Sequence, residues 1–368
     1  MENIPLVSFE GELKLLKNNY SKAFNNQLSK GEFIGGKAVS NFENKIREVF
    51  SIDNVISVGN GTDALVIGLE SVKNKFKLSK GKVIVPAFSF FSSSEAIVQA
   101  GFEPLFIDVE KSTGNIDTTQ INDILSSDVV GILPVHLFGK SCNMEMLNKI
   151  KNENELFIVE DVAQAFGAKF NNQLVGTYGD AGCFSFFPSK ILGGFGDGGM
   201  IITNDDKISD FARMLKNHGS KIKYENELVG YNSRLDSLQA AMLSEKLNFI
   251  DSFIESRKIV GNYYIDLLKD NENITLMDYK DSVFNYFTIQ INEKRDELAN
   301  YLQSKNISTA IYYPKTLPSL KAHANIKQEN KFSNAEYLSK TVLSLPIWSM
   351  MEKDIAERVV HEIDNFYK

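Results

Sequence analysis

The chain has 368 residues, of which 43% are hydrophobic and 24% are charged, and its formal net charge is −7 at neutral pH. This composition is typical of a folded protein with one large and one smaller domain, and it excludes a disordered or fibrous chain. The negative charge is spread along the sequence and disfavours nucleic acid and anionic membranes as partners. The two cysteines form no CxxC motif and the four histidines do not cluster, which argues against a disulfide framework or a metal site.

The amino terminus carries acidic residues where a secretory signal peptide carries basic ones, and no run of about 20 apolar residues occurs in the chain. We therefore expect a cytoplasmic protein. The first predicted elements are two helices within residues 12–50, separated at Gly35-Gly36. Apolar residues recur at helical spacing in the second helix.

Short apolar runs then alternate with segments that are long enough for crossover helices. This alternation predicts an α/β fold, with a mostly parallel central sheet of seven strands flanked by helices. The last two runs are joined by a glycine-rich loop and are open to antiparallel pairing. The runs lie at residues 55–58, 82–85, 105–107, 129–133, 156–159, 182–187 and 200–203.

A long helical stretch is predicted after Tyr231, with apolar residues on one face as far as Ile254. We place the domain junction inside this stretch, which gives a large domain at residues 1–245 and a small α+β domain at residues 246–368. In the small domain the pattern predicts strands at 284–291 and 309–313 and helices near 294–305 and 354–366.

A glycine turn at residues 58–65 is the first segment that could carry chemistry. Here a strand ends and an apolar helix begins, so backbone N–H groups, the helix dipole and the Thr62 hydroxyl could together bind a phosphate. The segment matches neither GxGxxG nor the P-loop pattern. A plain turn with Thr62 as the helix N-cap is therefore the alternative.

Asp161 and Lys190 are the other two candidates. Asp161 follows a buried strand at the end where open α/β sheets bind ligands, and a buried carboxylate needs a cationic or donor partner. Its alternative role is to cap a following helix. Lys190 comes after an aromatic strand and a proline turn, and five glycines follow within seven residues. A poorly hydrated lysine is suited to forming an imine, and the alternative is an ordinary surface lysine.

A phosphate site, a carboxylate that could pair with a pyridinium and an imine-forming lysine are the parts that a pyridoxal phosphate enzyme needs. In this order they resemble the sugar nucleotide aminotransferases of the DegT/DnrJ/EryC1/StrS family, within the fold type I (aspartate aminotransferase-like) class. The resemblance extends over nearly the whole chain. Its motifs are GNGTDAL (59–65), PAFSFFSSSEAI (86–97), PVHLFGK (134–140), VEDVAQAFGA (159–168), GDAGCFSFFPSK (179–190), GDGGMIITND (196–205), NHGS (217–220), GYNSRLDSLQAA (230–241), YYPK (312–315) and LSLPI (343–347).

The resemblance implies that pyridoxal 5′-phosphate is the cofactor and assigns a role to each matching residue. Lys190 would join the cofactor aldehyde and later move the proton between cofactor and substrate. Asp161 would pair with the pyridine nitrogen, Gln164 would bond the phenolic oxygen, and Phe90 would stack on the ring. Lys190 also favours transamination, because the dehydratase branch of the family carries histidine at this position.

The resemblance also implies a homodimer with two composite sites. Gly61, Thr62 and Ser185 would hold the cofactor phosphate, and Asn232 would reach the same phosphate from the neighbouring subunit.

Three further residues are expected to contact the substrate. Arg234 would bind a sugar carboxylate or the diphosphate, with a structural salt bridge as the alternative, and Tyr313 and His218 complete the set. For His218 a structural role is the favoured reading. Many family members carry a histidine where this chain has residues 316–320, and His323 is an open substitute.

The expected reaction transfers an amino group from L-glutamate to a nucleotide-linked 3-keto-hexose by a ping-pong mechanism, and the amino sugar would serve polysaccharide synthesis. Amination at ring carbon four is the alternative within the same chemistry. A regulator that binds pyridoxal phosphate without turnover is a rival from another class. A nicotinamide oxidoreductase is disfavoured because no GxGxxG follows the first strand.

Overall fold

The computed structural model describes residues 3–326, 328 and 330–368, and within them seven strands form one large sheet in the order β1-β9-β8-β5-β4-β2-β3. Its strands are β1 (Asn54–Val58), β2 (Lys82–Pro86), β3 (Glu103–Ile107), β4 (Val129–Ile132), β5 (Phe157–Asp161), β8 (Ala181–Ser185) and β9 (Gly199–Thr203). β9 pairs antiparallel with both β1 and β8, and the other neighbours are parallel. The predicted α/β fold with a mostly parallel seven-stranded sheet is confirmed.

Helices cover both faces of this sheet. α3 is buried along most of its length against β8 and β9, because its residues from 64 to 72 are almost all small or apolar. The helices are α1 (Glu10–Lys30), α2 (Gly36–Phe50), α3 (Gly61–Lys75), α4 (Phe91–Gln99), α5 (Ile121–Ile124), α6 (Met144–Asn154), α7 (Asp206–Leu215), α8 (Ser237–Leu247), α9 (Ile250–Leu268), α10 (Arg295–Ser304), α11 (Ser333–Thr341) and α12 (Lys353–Tyr367). Among the described residues, no helix is long and apolar enough to cross a membrane.

The remaining strands form small antiparallel sheets. They are β6 (Lys169–Phe170) with β7 (Gln173–Leu174), β10 (Ser220–Ile222) with β11 (Glu225–Asn226), and β12 (Ile274–Leu276) with β13 (Phe287–Ile291) and β14 (Val342–Leu345). The three-stranded sheet, with α9 to α12, forms the C-terminal part. The expected junction at 245/246 falls inside α8, which packs against α1 and α2, so the domain division stays a prediction.

Two predicted elements differ in the structure. The long helix after Tyr231 is two helices, α8 and α9, which are separated at Asn248-Phe249. Residues 309–313 form no strand, since only Ala310 pairs, through its N–H to the Ser344 carbonyl at 3.1 Å. Beyond Ala310 the chain brings Tyr313 to Gln164, and Tyr312 packs against the Tyr286 ring.

A buried acid stabilises the turn that leads into β8. Glu160 accepts hydrogen bonds from the backbone N–H groups of Gly176, Tyr178 and Gly179 at 2.7–2.8 Å, and His136 Nε2 lies 3.0 Å from its Oε2. His136 Nδ1 accepts from the backbone, so Nε2 carries the proton and donates to Glu160. One carboxylate therefore fixes the chain between β5 and β8.

Replacing Glu160 by glutamine tests this support. The amide of Glu160→Gln turns an N–H towards the backbone donors, so we expect the free energy of unfolding to fall by about 2–3 kcal/mol, measured by urea denaturation. The matched control is Glu153→Gln, which alters an exposed carboxylate on α6. A loss within about 0.5 kcal/mol of the control would contradict this role.

Candidate functional site

The candidate site lies where the chain leaves β1, β5 and β8. Val58 and Ser185 both pair with Gly199, and Asp161 pairs with Cys183 two residues before Ser185. The parallel strands β5 and β8 end at the same edge of the sheet, and the register brings the end of β1 to that edge as well. Segments that are far apart in sequence therefore meet at one edge.

The start of α3 has the features of the predicted phosphate site. Asn60 caps the helix by accepting from the Asp63 N–H at 2.8 Å, so Thr62 is the second helical residue and the alternative reading of Thr62 as N-cap is wrong. Gly61 is required here because an added Cβ would lie 2.7 Å from the Ser185 Cβ. The first N–H groups of a helix have no acceptor within it, which leaves them for a bound anion.

Asp161 is buried at the end of β5, with only 4% of its surface exposed. Its Oδ2 accepts from the Ser93 hydroxyl at 2.8 Å and its Oδ1 from the Ala163 N–H at 3.1 Å. No helix begins directly after it, so the helix-cap alternative is wrong. Burial raises the pKa of Asp161, while the Ser93 and Ala163 hydrogen bonds and the charge of Lys190 oppose that rise. A cation at Oδ2 would offset the cost of burial.

Lys190 lies in the turn after β8, where its backbone N–H donates to the Phe187 carbonyl at 2.9 Å. Its side chain is partly buried, and its Nζ lies 5.4 Å from the centre of the Tyr286 ring. The Lys190 charge also acts on Asp161. The predicted nucleophile and the predicted pyridinium partner are therefore brought together.

Gln164 and Phe90 lie on either side of Tyr313. The Gln164 amide donates to the Tyr313 hydroxyl at 2.8 Å and accepts from the Phe138 N–H at 2.9 Å. The Phe90 ring centre is 6.0 Å from that of Tyr313, and 55% of the Phe90 surface is exposed. An exposed aromatic face beside buried polar groups is suited to stacking on a planar ligand.

A run of serines at the start of α4 supports the site, although the sequence interpretation assigned it no role. The Ser92 hydroxyl is 2.7 Å from that of Thr62, and Ser93 donates to Asp161. Ser94 bonds His323 Nε2 at 2.9 Å, behind the helix. The available signal was three consecutive serines a few residues after the proline that ends β2, since short hydroxyl side chains satisfy neighbouring polar groups.

His323 does not lie among the site residues. Its ring packs against Phe91 and Phe106 and is buried, and burial lowers its pKa. Its Nε2 bonds Ser94, whereas the neighbouring Ser93 donates to Asp161. The contacts of His323 are therefore those of a buried structural residue, and its substitution for the missing loop histidine stays an open prediction.

Asn232, Arg234 and His218 lie at the surface or partly exposed. Arg234 donates to the Asn232 amide oxygen, and no ion pair of Arg234 with an acid occurs among the described residues. His218 has a left-handed backbone (φ 57°) and bonds Tyr231 and Asn226 through its main chain. The hydrogen bonds of Arg234 and His218 described here join them to neighbouring residues and not to Lys190. Their roles therefore stay predictions.

Residues 14–364 match the model of the DegT/DnrJ/EryC1/StrS aminotransferase family. The chain belongs to this family. The prediction of a pyridoxal phosphate-dependent aminotransferase of fold type I is thereby confirmed.

Similar proteins match over the full length. The dTDP-3-amino-3,6-dideoxy-alpha-D-galactopyranose transaminase of Aneurinibacillus thermoaerophilus is 38% identical over 96% of this chain and 98% of its own. The pleiotropic regulatory protein of Geobacillus stearothermophilus is 36% identical over 100% of this chain and 99% of its own. The crystal structure of S. venezuelae DesV in complex with a ketimine intermediate has a TM-score of 0.94 at 30% identity, over 100% and 99% of the two chains.

The residues present fit pyridoxal phosphate as the family requires. The buried Asp161 carboxylate lacks a directly bonded cation among the described residues, and a protonated pyridine nitrogen would supply one. The start of α3 lies beside Ser185 at the same edge of the sheet, and Lys190 provides an amine whose charge acts on Asp161. The pyridine nitrogen, the phosphate and the aldehyde of this cofactor require a carboxylate, an anion site and an amine, respectively.

Replacing Asp161 by asparagine separates folding from cofactor binding. Because burial raises the carboxyl pKa, the cofactor-free wild type loses stability as pH rises through that pKa, whereas Asp161→Asn does not. We expect the variant to unfold at an equal or higher temperature above neutral pH, while its affinity for pyridoxal phosphate falls at least about tenfold.

The control for this experiment is Asp210→Asn, which changes an exposed carboxylate on α7. Thermal unfolding across pH and a fluorescence titration with pyridoxal phosphate provide the two measurements. If Asp161→Asn bound the cofactor as tightly as the control variant, Asp161 would not pair with the ring nitrogen.

Proposed function

We propose that this chain transfers an amino group from L-glutamate to a nucleotide-linked 3-keto-hexose, giving a 3-amino sugar nucleotide and 2-oxoglutarate. The observation that carries this proposal is full-length similarity, at 38% identity, to a transaminase whose product bears its amino group at sugar carbon three. The proximity of Lys190 and Asp161 supports the shared amino-transfer chemistry. Such amino sugars would enter polysaccharide synthesis in the cytoplasm.

Each residue of the site has a part in this reaction. When bound, pyridoxal phosphate supplies an aldehyde that exchanges amino groups and a ring that withdraws electrons. Asp161 would pair with the ring nitrogen, and Lys190 would hold the aldehyde and serve as the amine that accepts and returns the proton. Phe90 would stack on the ring, and Gln164, which bonds Tyr313, would donate to its phenolic oxygen.

The phosphate of the cofactor is held at the start of α3. Gly61 and Thr62 present their N–H groups, and Ser185 adds its hydroxyl from the end of β8, in contact with Gly61. The helix dipole and these donors would fix the phosphate and so hold the cofactor in place between Asp161 and Lys190.

The sugar nucleotide binds at the outer side of the site. Arg234, whose guanidinium pairs only with an amide among the described residues, is free to bind the diphosphate or a sugar carboxylate. Tyr313 borders the cofactor through Gln164, and its buried hydroxyl could contact the hexose. His218 is the third proposed contact, at the base of the β10-β11 hairpin.

We propose that the catalytic unit is a homodimer in which Asn232 completes the partner's phosphate site. Large apolar side chains are exposed on α1 and on the loop after β8. The rings of Tyr20 on α1 and Phe195 on this loop are in contact, with centres 5.0 Å apart. A cavity of about 440 Å³ lies between α1 and α8. Val229, three residues before Asn232, is 96% exposed. Contiguous apolar surface of this kind marks an interface. The exposed residues on α1 and the loop are Leu13, Leu15, Phe24, Leu28, Phe187 and Phe195.

Mixing two inactive variants tests the shared site. If Asn232 acts in trans, a heterodimer of Lys190→Ala and Asn232→Ala contains one intact site out of two. Because about half of the dimers in an equal, randomly paired mixture are heterodimers, refolding the mixture restores about a quarter of wild-type activity. Neither variant alone, refolded in the same way, should recover activity. If Asn232 instead serves the site of its own chain, the mixture stays inactive.

A substrate panel tests the reaction itself. We expect L-glutamate and a nucleotide-linked 3-keto-hexose to give a new amine at carbon three, located by NMR, and Lys190→Ala to give no product and no borohydride-trapped cofactor. Product only from 4-keto-hexoses would favour the alternative position of amination. A yellow protein whose absorption spectrum does not change on addition of glutamate would favour the regulator that binds pyridoxal phosphate without turnover. The Geobacillus stearothermophilus relative is named a pleiotropic regulatory protein.

A further inference from the structure

Tyr286 lies against Lys190 from the C-terminal part of the chain. It is the residue directly before β13, and only 7% of its surface is exposed. Sequence interpretation did not select it, because it follows a phenylalanine and an asparagine in a segment that reads as an ordinary strand. Lys190 belongs to the turn after β8, so the contact joins the large sheet to the C-terminal part.

The ring of Tyr286 lies beside the Lys190 amine. The Lys190 Nζ is 5.4 Å from the ring centre, a position from which the amine can reach the phenol oxygen at the edge of the same ring. The ring packs on Tyr312 with centres 4.6 Å apart, and the Tyr286 N–H donates to the Phe138 carbonyl at 3.4 Å. Contacts on several sides therefore fix the position of the hydroxyl.

A buried arginine holds the segment that carries Tyr286. Arg257 donates to the Ser349 hydroxyl at 3.0 Å and to the carbonyls of Phe284 and Asn285 at 3.2 and 3.4 Å. These two carbonyls immediately precede Tyr286 in the chain. A rigid backbone at this point keeps the phenol oxygen within reach of Lys190.

The charges around Tyr286 favour an oxygen that carries negative charge. Burial raises the pKa of Tyr286, but the positive charge of Lys190, the hydrogen bonds from Ser189 and Lys190, and the charge of Arg257 outweigh burial and lower it. Tyr312 faces the same hydroxyl, and Asp161 is the acid that faces Lys190. The phenol oxygen is therefore surrounded by groups that carry positive charge or can donate hydrogen bonds to it.

We propose that Tyr286 is a positioning residue for Lys190, whose ammonium group it holds by a hydrogen bond whenever the amine is not bonded to the cofactor. This inference rests on the proposed function, in which Lys190 is the amine that binds pyridoxal phosphate. Lys190 takes a proton from one carbon and returns it to another, so it passes through the ammonium form. Tyr286 keeps that ammonium beside the reacting carbons instead of in water.

The test compares Tyr286→Phe, which keeps the ring and removes the hydroxyl, with Tyr264→Phe. Tyr264 is a matched control because it is fully buried, stacks on Phe287 and donates to the Pro346 carbonyl. For each protein we would measure kcat and KM with the 3-keto sugar nucleotide and glutamate. The pH dependence of borohydride trapping of pyridoxal phosphate on Lys190, followed by peptide mass spectrometry, is the second readout.

We expect Tyr286→Phe to lower kcat about tenfold with the KM for the sugar nucleotide unchanged, because one hydrogen bond to a charged group is lost. Loss of the acceptor disfavours the ammonium form, so half-maximal trapping should move to lower pH. Tyr264→Phe should change neither property. An unchanged kcat, or a lower kcat with the trapping profile of the wild type, would overturn the inference.

The two proposals fail in different ways. If the wild type traps pyridoxal phosphate at Lys190 and Tyr286→Phe behaves in both measurements as the wild type does, the positioning role alone is refuted. If the wild type forms no trapped bond at Lys190, the proposed function and this inference are both overturned.

Discussion

The buried carboxylate of Asp161 is the constraint around which the site is built. Burial disfavours its charge, and the two hydrogen bonds from Ser93 and Ala163 offset only part of that cost. A cation beside the Asp161 carboxylate would offset the remaining cost of burying its charge. A cofactor with a protonated ring nitrogen would supply that cation, which is the role that we propose for Asp161.

The parallel sheet makes this arrangement possible. Because β5 and β8 run in the same direction and β1 ends beside them, Asp161, Ser185 and the start of α3 share one edge. The side chain of Glu160, on the opposite face of β5, accepts from the chain that connects β5 to β8. Of these two neighbouring acids, Glu160 stabilises the fold, and Asp161 is the one that we propose to bind the cofactor.

The site also needs residues from outside the large sheet. Tyr286 and Tyr313 come from the C-terminal part, and they contact Lys190 and Gln164 respectively. Asn232 lies next to Ser233, whose hydroxyl accepts from the Gly59 N–H at 2.9 Å. This anchors the segment that we propose to serve the partner subunit. Amino transfer here depends on the packing of two parts of the chain and, by our proposal, of two chains.

The sequence by itself determined the local features of this protein. Strand ends followed by turns identified Asp161, Lys190 and the start of α3, because each signal lies within about ten residues. Only the tertiary structure decided which distant residues meet them. Ser93 and Tyr286 were given no role from the sequence because their partners, Asp161 and Lys190, lie far along the chain. The expected strand at 309–313 failed for the same reason, since strand pairing depends on a distant partner. Residues that are close in sequence define the local elements and turns, whereas contacts between distant segments are decided by how those elements pack.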